Sequence, residues 1–368
     1  MSEKVKKILI FRIGSLGDML IMVPSIWVLK ENFPYATLFL LSNSENQSKK
    51  VTAEQIFDHS DFFSGYFHYS SRIQGFKSFF NFLKIVFMIR KTKFDLLVYF
   101  APSGRTGWQK KRDSIFFKLV GIKKTIGIKE DFPLPPRQPN SFLPLVEREA
   151  DRFLLRLKAS GLKVPDINCG NPSINLTSEE EKSFQTIISK LPNDFSRPWI
   201  ACGIASNRSI SIWPLERYQK VLTVLIEKYS IWPVILGGVD DFDLGQDLIK
   251  RLNCGYNFAG KVSVRLSAIA LQRCWLYCGN DTGTMHLAAS VGISCIAIFS
   301  SAQYPGLWYP YGQGHHIYRT PIECEGCELD DCILKQKQCI LSISVAEVLS
   351  GCEKILNNLN ITSSISKS

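Results

Sequence analysis

Two short segments, far apart in the chain, combine glycine, hydroxyl and acidic residues in a way that suits anion binding. The first is Phe-Arg-Ile-Gly-Ser-Leu-Gly-Asp at positions 11–18, and the second is Cys-Gly-Asn-Asp-Thr-Gly-Thr-Met-His at positions 278–286. Each follows an apolar run typical of a buried strand and precedes a helical pattern. Such a unit presents backbone N–H groups and the positive end of a helix to a phosphate. Two of them predict two α/β domains facing each other across a cleft.

A third acidic segment, Gly-Gly-Val-Asp-Asp at 237–241, also follows an apolar run. In nucleotide-binding folds, an acid at the end of such a strand commonly binds a ribose. Of the two carboxylates, we favour Asp241 over Asp240 for this role.

Four cysteines cluster late in the chain, as Cys324, Cys327, Cys332 and Cys339. Their spacing allows a structural zinc site with four thiolate ligands, although the spacing after the first pair is short for a zinc ribbon. The alternative is a set of reduced structural thiols. Disulfides are not expected in a cytosolic protein.

The elements that must position these residues alternate between strand and helix patterns. In the first half we predict strands at 7–11, 38–41, 94–100 and 125–128, and a helix at 18–32. In the second half we predict strands at 199–203, 232–236, 274–278 and 294–299, with helices at 215–229, 244–252, 266–272, 284–291 and 344–359. This order predicts parallel sheets with helices on both faces. We expect domains at 1–172 and 173–342, followed by a C-terminal helix and tail at 343–368.

The charge balance indicates acidic partners. The 368 residues carry a net charge of +11 and the isoelectric point is about 9.1. This favours phosphorylated substrates or anionic lipid; no nucleic-acid-binding motif accompanies the charge, so nucleic acid is not an expected partner. Because no apolar run reaches about 18 residues and Arg12 and Asp18 interrupt the first one, we expect no membrane span or signal peptide, and a cytoplasmic protein.

Basic and aromatic residues recur with helical spacing between positions 72 and 93. One interpretation is an amphipathic helix resting on anionic lipid, which would give peripheral contact with the cytoplasmic face of the inner membrane. The alternative is a helix that faces the core and keeps its lysines in water.

Several motifs together carry a resemblance to a known family. Arg-x-x-Ser-Leu-Gly-Asp at 12–18, with Pro24, resembles the start of the bacterial lipopolysaccharide heptosyltransferases, glycosyltransferase family 9. So do Trp-Pro at 213–214, Asp-Thr-Gly-x-x-His-Leu-Ala-Ala at 281–289 with Gly292, and Trp-x-Pro-Tyr-Gly at 308–312. The resemblance implies a GT-B fold, in which two Rossmann-like domains face a cleft. It also implies inverting transfer of a sugar, typically heptose, from an ADP-activated donor to a lipid-linked lipopolysaccharide core or related surface glycan, with no cofactor or metal needed for the chemistry.

In the first domain, the resemblance assigns the general base to Asp18. A carboxylate can take the proton of the acceptor hydroxyl as that hydroxyl attacks. The alternative is a carboxylate that only complements the helix dipole. The residues predicted to bind the acceptor are Arg12, Ser15, Gly17, Arg105, Lys111 and Arg112. For Arg12, the alternative is an ion pair with a nearby acid.

In the second domain, the resemblance implies a donor site around the later motif. The predicted residues are Arg208, Ser211, Asp241, Asp281, Thr282, Gly283, Thr284 and His286. Ser211 marks the main departure, because the family usually has a Lys here that meets the donor phosphates. We expect Arg208 to bring a positive charge to the same place.

This departure motivates two further hypotheses. One is a GT-B transferase that uses a different nucleotide-sugar donor for another surface polysaccharide. The other is a non-catalytic paralogue that only binds a nucleotide sugar or a glycan. The presence of both Asp18 and the 281–286 motif argues against the non-catalytic hypothesis.

Overall fold

The computed structural model describes residues 5–43, 51–69, 75–101, 105–130, 132–138, 141–191 and 197–365. Its contacts divide the chain into two compact units. Unit 1 comprises Met1–Pro135 and Glu149–Asn175, and unit 2 comprises Pro136–Arg148 and Leu176–Ser368. Residues 136–148 therefore group with unit 2, although they fall inside the range 1–172 predicted for the first domain. Within the described ranges, no helix is both long and apolar enough to cross a membrane.

Unit 1 is built on a five-stranded parallel sheet with the order β3-β2-β1-β4-β5. Its strands are β1 (Lys7–Phe11), β2 (Thr37–Asn43), β3 (Gly65–Tyr69), β4 (Leu96–Tyr99) and β5 (Thr125–Ile126). The four strands predicted from sequence are confirmed, and β3 is an addition at the sheet edge. Every residue of β4 is buried, as expected for a strand covered on both faces.

The helices of unit 1 are α1 (Leu16–Leu20), α2 (Val23–Asn32), α3 (Ala53–Phe57), α4 (Gly75–Thr92), α5 (Gly107–Leu119) and α6 (Glu149–Ala159). The prediction of one continuous helix at 18–32 is wrong, because α1 ends at Leu20 and α2 starts at Val23. Pro24 explains the break: it lies in the first turn of α2, where its missing N–H leaves no hydrogen bond unmade.

Unit 2 is built on a six-stranded parallel sheet with the order β11-β10-β9-β6-β7-β8. Its strands are β6 (Trp199–Gly203), β7 (Trp232–Ile235), β8 (Tyr256–Asn257), β9 (Cys274–Asn280), β10 (Cys295–Phe299) and β11 (His316–Arg319). Its helices are α7 (Ser178–Ile188), α8 (Leu215–Tyr229), α9 (Phe242–Leu252), α10 (Val264–Gln272), α11 (Gly283–Ser290), α12 (Gln338–Leu341) and α13 (Val345–Ile365). The predicted strands and helices of this half are present, and α13 packs against α8 and β9.

Each sheet contains one point where the chain reverses its direction of winding. In unit 1 this point lies between β1 and β4, and in unit 2 it lies between β6 and β9. Ligands of open parallel sheets bind beyond the carboxyl ends of the strands at such points. The loop with Asp18 follows β1, and the loop with Asp281 follows β9. The fold therefore places both motifs where its own geometry leaves room for a ligand.

Candidate functional site

In unit 1 the loop after β1 is organised around a buried arginine. Arg12 is fully buried, and its guanidinium donates to the backbone oxygens of Asp18 and Phe100 at 2.9 Å each and to Asp18 Oδ1 at 2.8 Å. The guanidinium also stacks over the Phe153 ring, 4.9 Å from its centroid. Burial lowers the pKa of Arg12, while Asp18 and Glu149 raise it. The structure therefore shows an ion pair with a nearby acid, and the guanidinium is enclosed by protein instead of facing an acceptor.

The Asp18 carboxylate is held from both sides but stays partly exposed. Its Oδ2 accepts from the Ser15 N–H at 2.8 Å and the Ser15 hydroxyl at 3.1 Å, while Oδ1 accepts from Arg12. Gly14 has a φ of +135°, and a Cβ there would lie well inside van der Waals contact with the Asp18 carboxyl group. A carboxylate offers about four lone-pair sites. Three are occupied by these bonds, so one on Oδ1 is left, and the side chain is 23% exposed.

Helix α5, which follows β4, brings a second acid that the sequence did not single out. Asp113 is buried and accepts from the Tyr99 hydroxyl at 2.6 Å, from Arg105 at 2.6 Å and from Arg112 at 2.7 Å. Arg105 and Arg112, predicted to bind the acceptor, therefore share one buried carboxylate. Lys111, the third predicted cation, is exposed. The signal available in the sequence was Asp113 itself, the one acid in an otherwise basic helix.

In unit 2 the loop after β9 begins with a small cluster of hydroxyl groups. Thr282 Oγ1 lies 2.7 Å from Thr284 Oγ1, and the Tyr277 hydroxyl lies 3.1 Å from Thr284 Oγ1. Burial raises the pKa of Tyr277, so the hydroxyl stays protonated at neutral pH. Gly283 is the first residue of α11, whose positive end lies at this cluster. The cluster therefore supplies neutral donors at a helix N-terminus.

A pocket beside this loop is lined by two arginines. Its lining residues are Arg208, Asp281, Phe299, Ser300, Gln303, Tyr304, Trp308, Tyr309 and Arg319. Arg208 pairs with the Asp330 carboxylate at 3.0 Å and donates to the Leu329 carbonyl at 2.6 Å. Arg319 pairs with Glu325 at 2.8 Å. The Trp308 indole N–H is buried and has no hydrogen-bond partner among the residues that the structure describes. The pocket thus combines positive charge with an unused buried donor.

A buried asparagine ties this pocket to the segment that carries Arg208. Asn280 is fully buried; its Oδ1 accepts from the Trp213 N–H at 3.1 Å and from the Tyr218 hydroxyl at 2.8 Å. Its Nδ2 donates to the Ile204 carbonyl at 2.9 Å. Asn280 therefore fixes both ends of the connection between β6 and α8. We predicted no role for Asn280, although its position at the end of a buried strand, directly before the Asp of the motif, was a signal in the sequence.

The comparisons with known proteins decide the family. The sequence model of glycosyltransferase family 9 (heptosyltransferase) matches residues 142–338, which is more than half of the chain. The chain belongs to glycosyltransferase family 9. It is 25% identical over 187 residues to lipopolysaccharide heptosyltransferase 2 of Salmonella typhimurium (strain LT2), covering 49% of this chain and 52% of that protein. The chain thus spans about half the length of the curated relatives it matches.

Solved structures show which fold this family member has. A family 9 glycosyltransferase from Veillonella parvula superposes with a TM-score of 0.72 at 17% identity, covering 97% of this chain and 99% of the other. The ADP-heptose lipopolysaccharide heptosyltransferase II of E. coli superposes with a TM-score of 0.67 at 16% identity, covering 96% and 99%. The GT-B fold, with two Rossmann-like units and parallel sheets, is therefore confirmed.

Two predicted donor residues of this family 9 chain contact lining residues of the pocket without lining it themselves. Ser211 is buried, and its hydroxyl is 3.2 Å from that of Ser300, a lining residue. His286 is also buried, with its ring edge-on to Trp308 at 6.5 Å between centroids. Asp241 stands at the start of α9 and accepts from the Gly238 N–H at 2.7 Å. Burial raises the pKa of Asp241, with the Gly238 N–H opposing and Asp240 adding to the rise.

The four late cysteines of this family 9 chain line one shared pocket of unit 2. All are free thiols, and Cys332 Sγ accepts from the Lys337 N–H at 3.2 Å. Within the part of the chain that is described, no group of three or more His, Cys, Asp or Glu side chains is arranged to hold a metal ion. Free thiols are compatible with both interpretations, so the zinc site and the reduced structural thiols both stay predictions.

Proposed function

We propose that this protein transfers heptose, with inversion, from ADP-heptose to a lipid-linked lipopolysaccharide core or related surface glycan. Family membership supports glycosyl transfer. The similar proteins are a lipopolysaccharide heptosyltransferase and an ADP-heptose lipopolysaccharide heptosyltransferase, which supports ADP-heptose as the donor and lipopolysaccharide as the acceptor class. The observation that carries the proposal is the pocket of unit 2, where Arg208, Arg319 and the Asp281 loop meet beside the β6–β9 reversal point. A diphosphate is the ligand that such a combination of charge and helix N-terminus suits.

In the donor site, Arg208 replaces the lysine that the family usually carries at the position of Ser211. Ser211 is buried and neutral, whereas Arg208 lines the pocket. Its Asp330 partner is 78% exposed, so an incoming diphosphate can compete for the guanidinium at little cost. Thr282, Gly283 and Thr284 add hydroxyl and N–H donors at the start of α11. Positive charge and preorganised donors stabilise the diphosphate as it leaves.

The remaining donor residues take roles that fit their chemistry. Asp281 lines the pocket and, being an acid, accepts from a sugar hydroxyl instead of meeting the phosphates. Asp241 accepts from the ribose, as acids at the ends of such strands do. His286 supports the pocket through its contact with Trp308.

In unit 1, Asp18 is the general base. The acceptor hydroxyl transfers its proton to Oδ1 of Asp18 while its oxygen attacks the anomeric carbon. The bond from that carbon to the diphosphate breaks, and ADP leaves with the electron pair. Arg12 and Ser15 act on the carboxylate, because they hold it in one orientation. Ser15, Gly17, Arg105, Lys111 and Arg112 shape the acceptor side, where Lys111 and the half-exposed Arg112 are the accessible cations.

This chemistry needs no metal ion or cofactor. A structural zinc at Cys324, Cys327, Cys332 and Cys339 is a separate prediction that metal analysis of the purified protein tests. The acceptor brings the enzyme to the cytoplasmic face of the inner membrane, where we propose peripheral contact, and we propose no role for nucleic acid.

Calorimetric titration with ADP, UDP, GDP and CMP tests the donor. We expect selective ADP binding by the wild type, and a loss of affinity of about tenfold or more in Arg208→Ala because a charge-assisted contact is lost. Lys220→Ala removes an exposed cation of α8 and serves as the matched control, with unchanged affinity. Selective binding of another nucleotide would favour the hypothesis of a different sugar donor, which Ser211 motivates. Absence of binding by a folded sample would favour the non-catalytic hypothesis in its glycan-binding form.

Turnover of Asp18→Asn tests the base. We expect the rate to fall by about a hundredfold or more while ADP affinity, which belongs to unit 2, stays unchanged. Turnover at the wild-type rate would show that Asp18 is not the base.

A further inference from the structure

We propose that one face of unit 1, formed by α4 and α5, docks on an anionic lipid bilayer. This α4–α5 face is defined by its exposed apolar side chains. They are Phe79, Phe80, Leu83, Phe87 and Met88 on α4 and Trp108, Ile115 and Leu119 on α5. The inference deepens the membrane contact of the proposed function by naming its surface. Its test requires neither donor nor turnover.

The exposed aromatic residues of α4 are additional to those that build the core. Ile85, Val86 and Ile89 already pack against the core cluster of unit 1. The other side of an amphipathic helix is normally polar, yet here Phe80 is 64% exposed and Phe87 is 65% exposed. An exposed apolar patch of this kind marks an interaction site.

Helix α5 extends the same face. The Phe82 and Phe116 rings pack 5.8 Å apart, and Arg90 donates to the Leu119 carbonyl at 3.3 Å, so the two helices lie side by side. Trp108, at the start of α5, is 70% exposed. Tryptophan is enriched at membrane interfaces, where its ring is apolar and its N–H can still reach water.

The charges on these two helices all have one sign at the surface. The cations are Lys84, Arg90, Lys91, Lys110, Lys111, Arg112 and Lys118. Helix α4 contains no acid, and the one acid of α5, Asp113, is buried against Tyr99, Arg105 and Arg112. Such a face is complementary to anionic headgroups, which attract juxtaposed lysines and arginines.

The same charges favour lipid over a second copy of this chain. A symmetric dimer through the α4–α5 face would bring two sets of cations together without any exposed carboxylate on either helix to pair with them. Anionic headgroups neutralise the cations, and the acyl boundary accepts the aromatic rings.

Co-sedimentation of the 368-residue chain with vesicles tests the inference. We expect binding to vesicles of phosphatidylglycerol mixed with phosphatidylcholine at 0.1 M salt, and weak binding to phosphatidylcholine alone or at 1 M salt. Lys84→Ala with Lys91→Ala should lower the partition coefficient by about thirtyfold, and Phe80→Ser with Phe87→Ser by roughly a hundredfold. Tyr35→Ser and Lys220→Ala, at exposed positions outside the face, should leave it unchanged.

Thermal unfolding confirms that each variant is folded. Because vesicle binding is measured without a nucleotide, its outcome is independent of the donor proposal. Equal binding by the face variants and the controls would overturn the inference, as would failure of the wild type to bind anionic vesicles. A wild-type dimer in sedimentation velocity that Phe80→Ser with Phe87→Ser converts to a monomer would also overturn it, in favour of a second copy.

Discussion

The loop after β1 and the loop after β9 each connect a strand to a helix, but they suit groups in opposite ways. The first surrounds a carboxylate of the protein itself, and the second suits an anionic ligand. In unit 1, a buried guanidinium, a serine and a helix N-terminus surround the Asp18 carboxylate. The positive groups of this loop are therefore already paired within the protein. In unit 2, hydroxyl groups meet at the helix N-terminus, and the guanidinium of Arg208, whose partner Asp330 is exposed, lines a pocket beside it. A strand–loop–helix unit can therefore hold either a proton acceptor of its own or an anion from outside.

What separates the two loops is where the arginine stands. Arg12 directly follows β1 and is enclosed by β4 and α6, so it has a fixed partner within the fold. Arg208 lies in a longer connection, and its acid partner is mostly in water. A buried ion pair orients a group, whereas a half-exposed one can exchange its partner for a ligand. We therefore expect Arg12 to matter for folding and Arg208 for binding.

The largest effect is expected from Arg12→Met. Removal of the buried guanidinium takes the donor from Asp18 Oδ1 and from the Phe100 carbonyl and leaves the carboxylate without its countercharge, which should lower the free energy of unfolding by about 3 kcal/mol. Arg208→Met should lower it by less than about 1 kcal/mol, because Asp330 is exposed. Urea denaturation measures both. Adding Asp18→Asn to Arg12→Met should restore part of the loss, and equal losses in the two single variants would contradict the comparison.

The next effect concerns the backbone beneath Asp18. Gly14→Ala introduces a Cβ at a φ of +135° and into the Asp18 carboxyl group, so we expect a loss of about 2–3 kcal/mol in unfolding free energy together with reduced turnover. Gly161→Ala is the matched control in the same unit, with a φ of +87° and open space around the added carbon. It should lose only about 1 kcal/mol. If both variants unfold alike in urea, contact with Asp18 does not fix the loop.

The sequence predicted the fold well because parallel strands, buried on both faces, leave continuous apolar runs. The sequence did not indicate β3 at the edge of the first sheet, because Gly65 and Tyr66 interrupt the continuous apolar run. It also indicated one helix across Pro24, where the structure has α1 and α2. A proline near a helix start is compatible with one helix or two, because its preference concerns the first turn only.

For the site, the sequence could indicate which loops matter but not how their side chains are paired. Arg12 looked available for an acceptor because its enclosure by Phe100 and Phe153 depends on contacts far along the chain. Asn280 was missed for the same reason, because its partners Trp213 and Tyr218 lie 67 and 62 residues earlier in the chain. Asp113 and Arg319 have partners closer in sequence, but each pairing joins two different elements, a helix with a strand or a strand with a turn. Long-range hydrogen bonds leave no periodicity in a sequence.

A smaller effect should separate binding from stability in the second loop. Thr284→Val keeps the shape of the side chain but removes the hydroxyl that meets Thr282 and Tyr277. We expect ADP affinity to fall by about tenfold, as one hydrogen bond to a charged ligand is lost, while the α11 helix is retained. Thr223→Val, at an exposed position of α8, is the matched control. Unchanged calorimetric affinity in Thr284→Val would remove the hydroxyl cluster from the donor site.

The smallest effect concerns how the free energy of unfolding depends on pH through His315 of unit 2. His315 Nδ1 accepts from the Cys295 N–H at 3.1 Å, so its proton must be on Nε2, which donates to the Tyr311 carbonyl at 3.0 Å. Burial lowers the pKa of His315, and Arg148 and His316 add to this while the Tyr311 carbonyl opposes it. The unfolded chain therefore takes up this proton first, below its ordinary pKa of about 6.5.

The unfolded state then binds more protons than the folded state. The free energy of unfolding should therefore fall as the pH drops from about 6.5 through the lower pKa that His315 has in the folded protein. Above about pH 6.5, the contribution of His315 to the free energy of unfolding should be fully retained. His315→Gln removes the titrating ring and should flatten this dependence, measured by urea denaturation between pH 7.5 and 5.5. His59→Gln changes an exposed ring of unit 1 that pairs with Asp58 and should keep the wild-type slope. If His315→Gln keeps the wild-type slope of unfolding free energy against pH, the acid response arises from other groups. The imidazole that accepts from the Cys295 N–H of β10 then has no part in it.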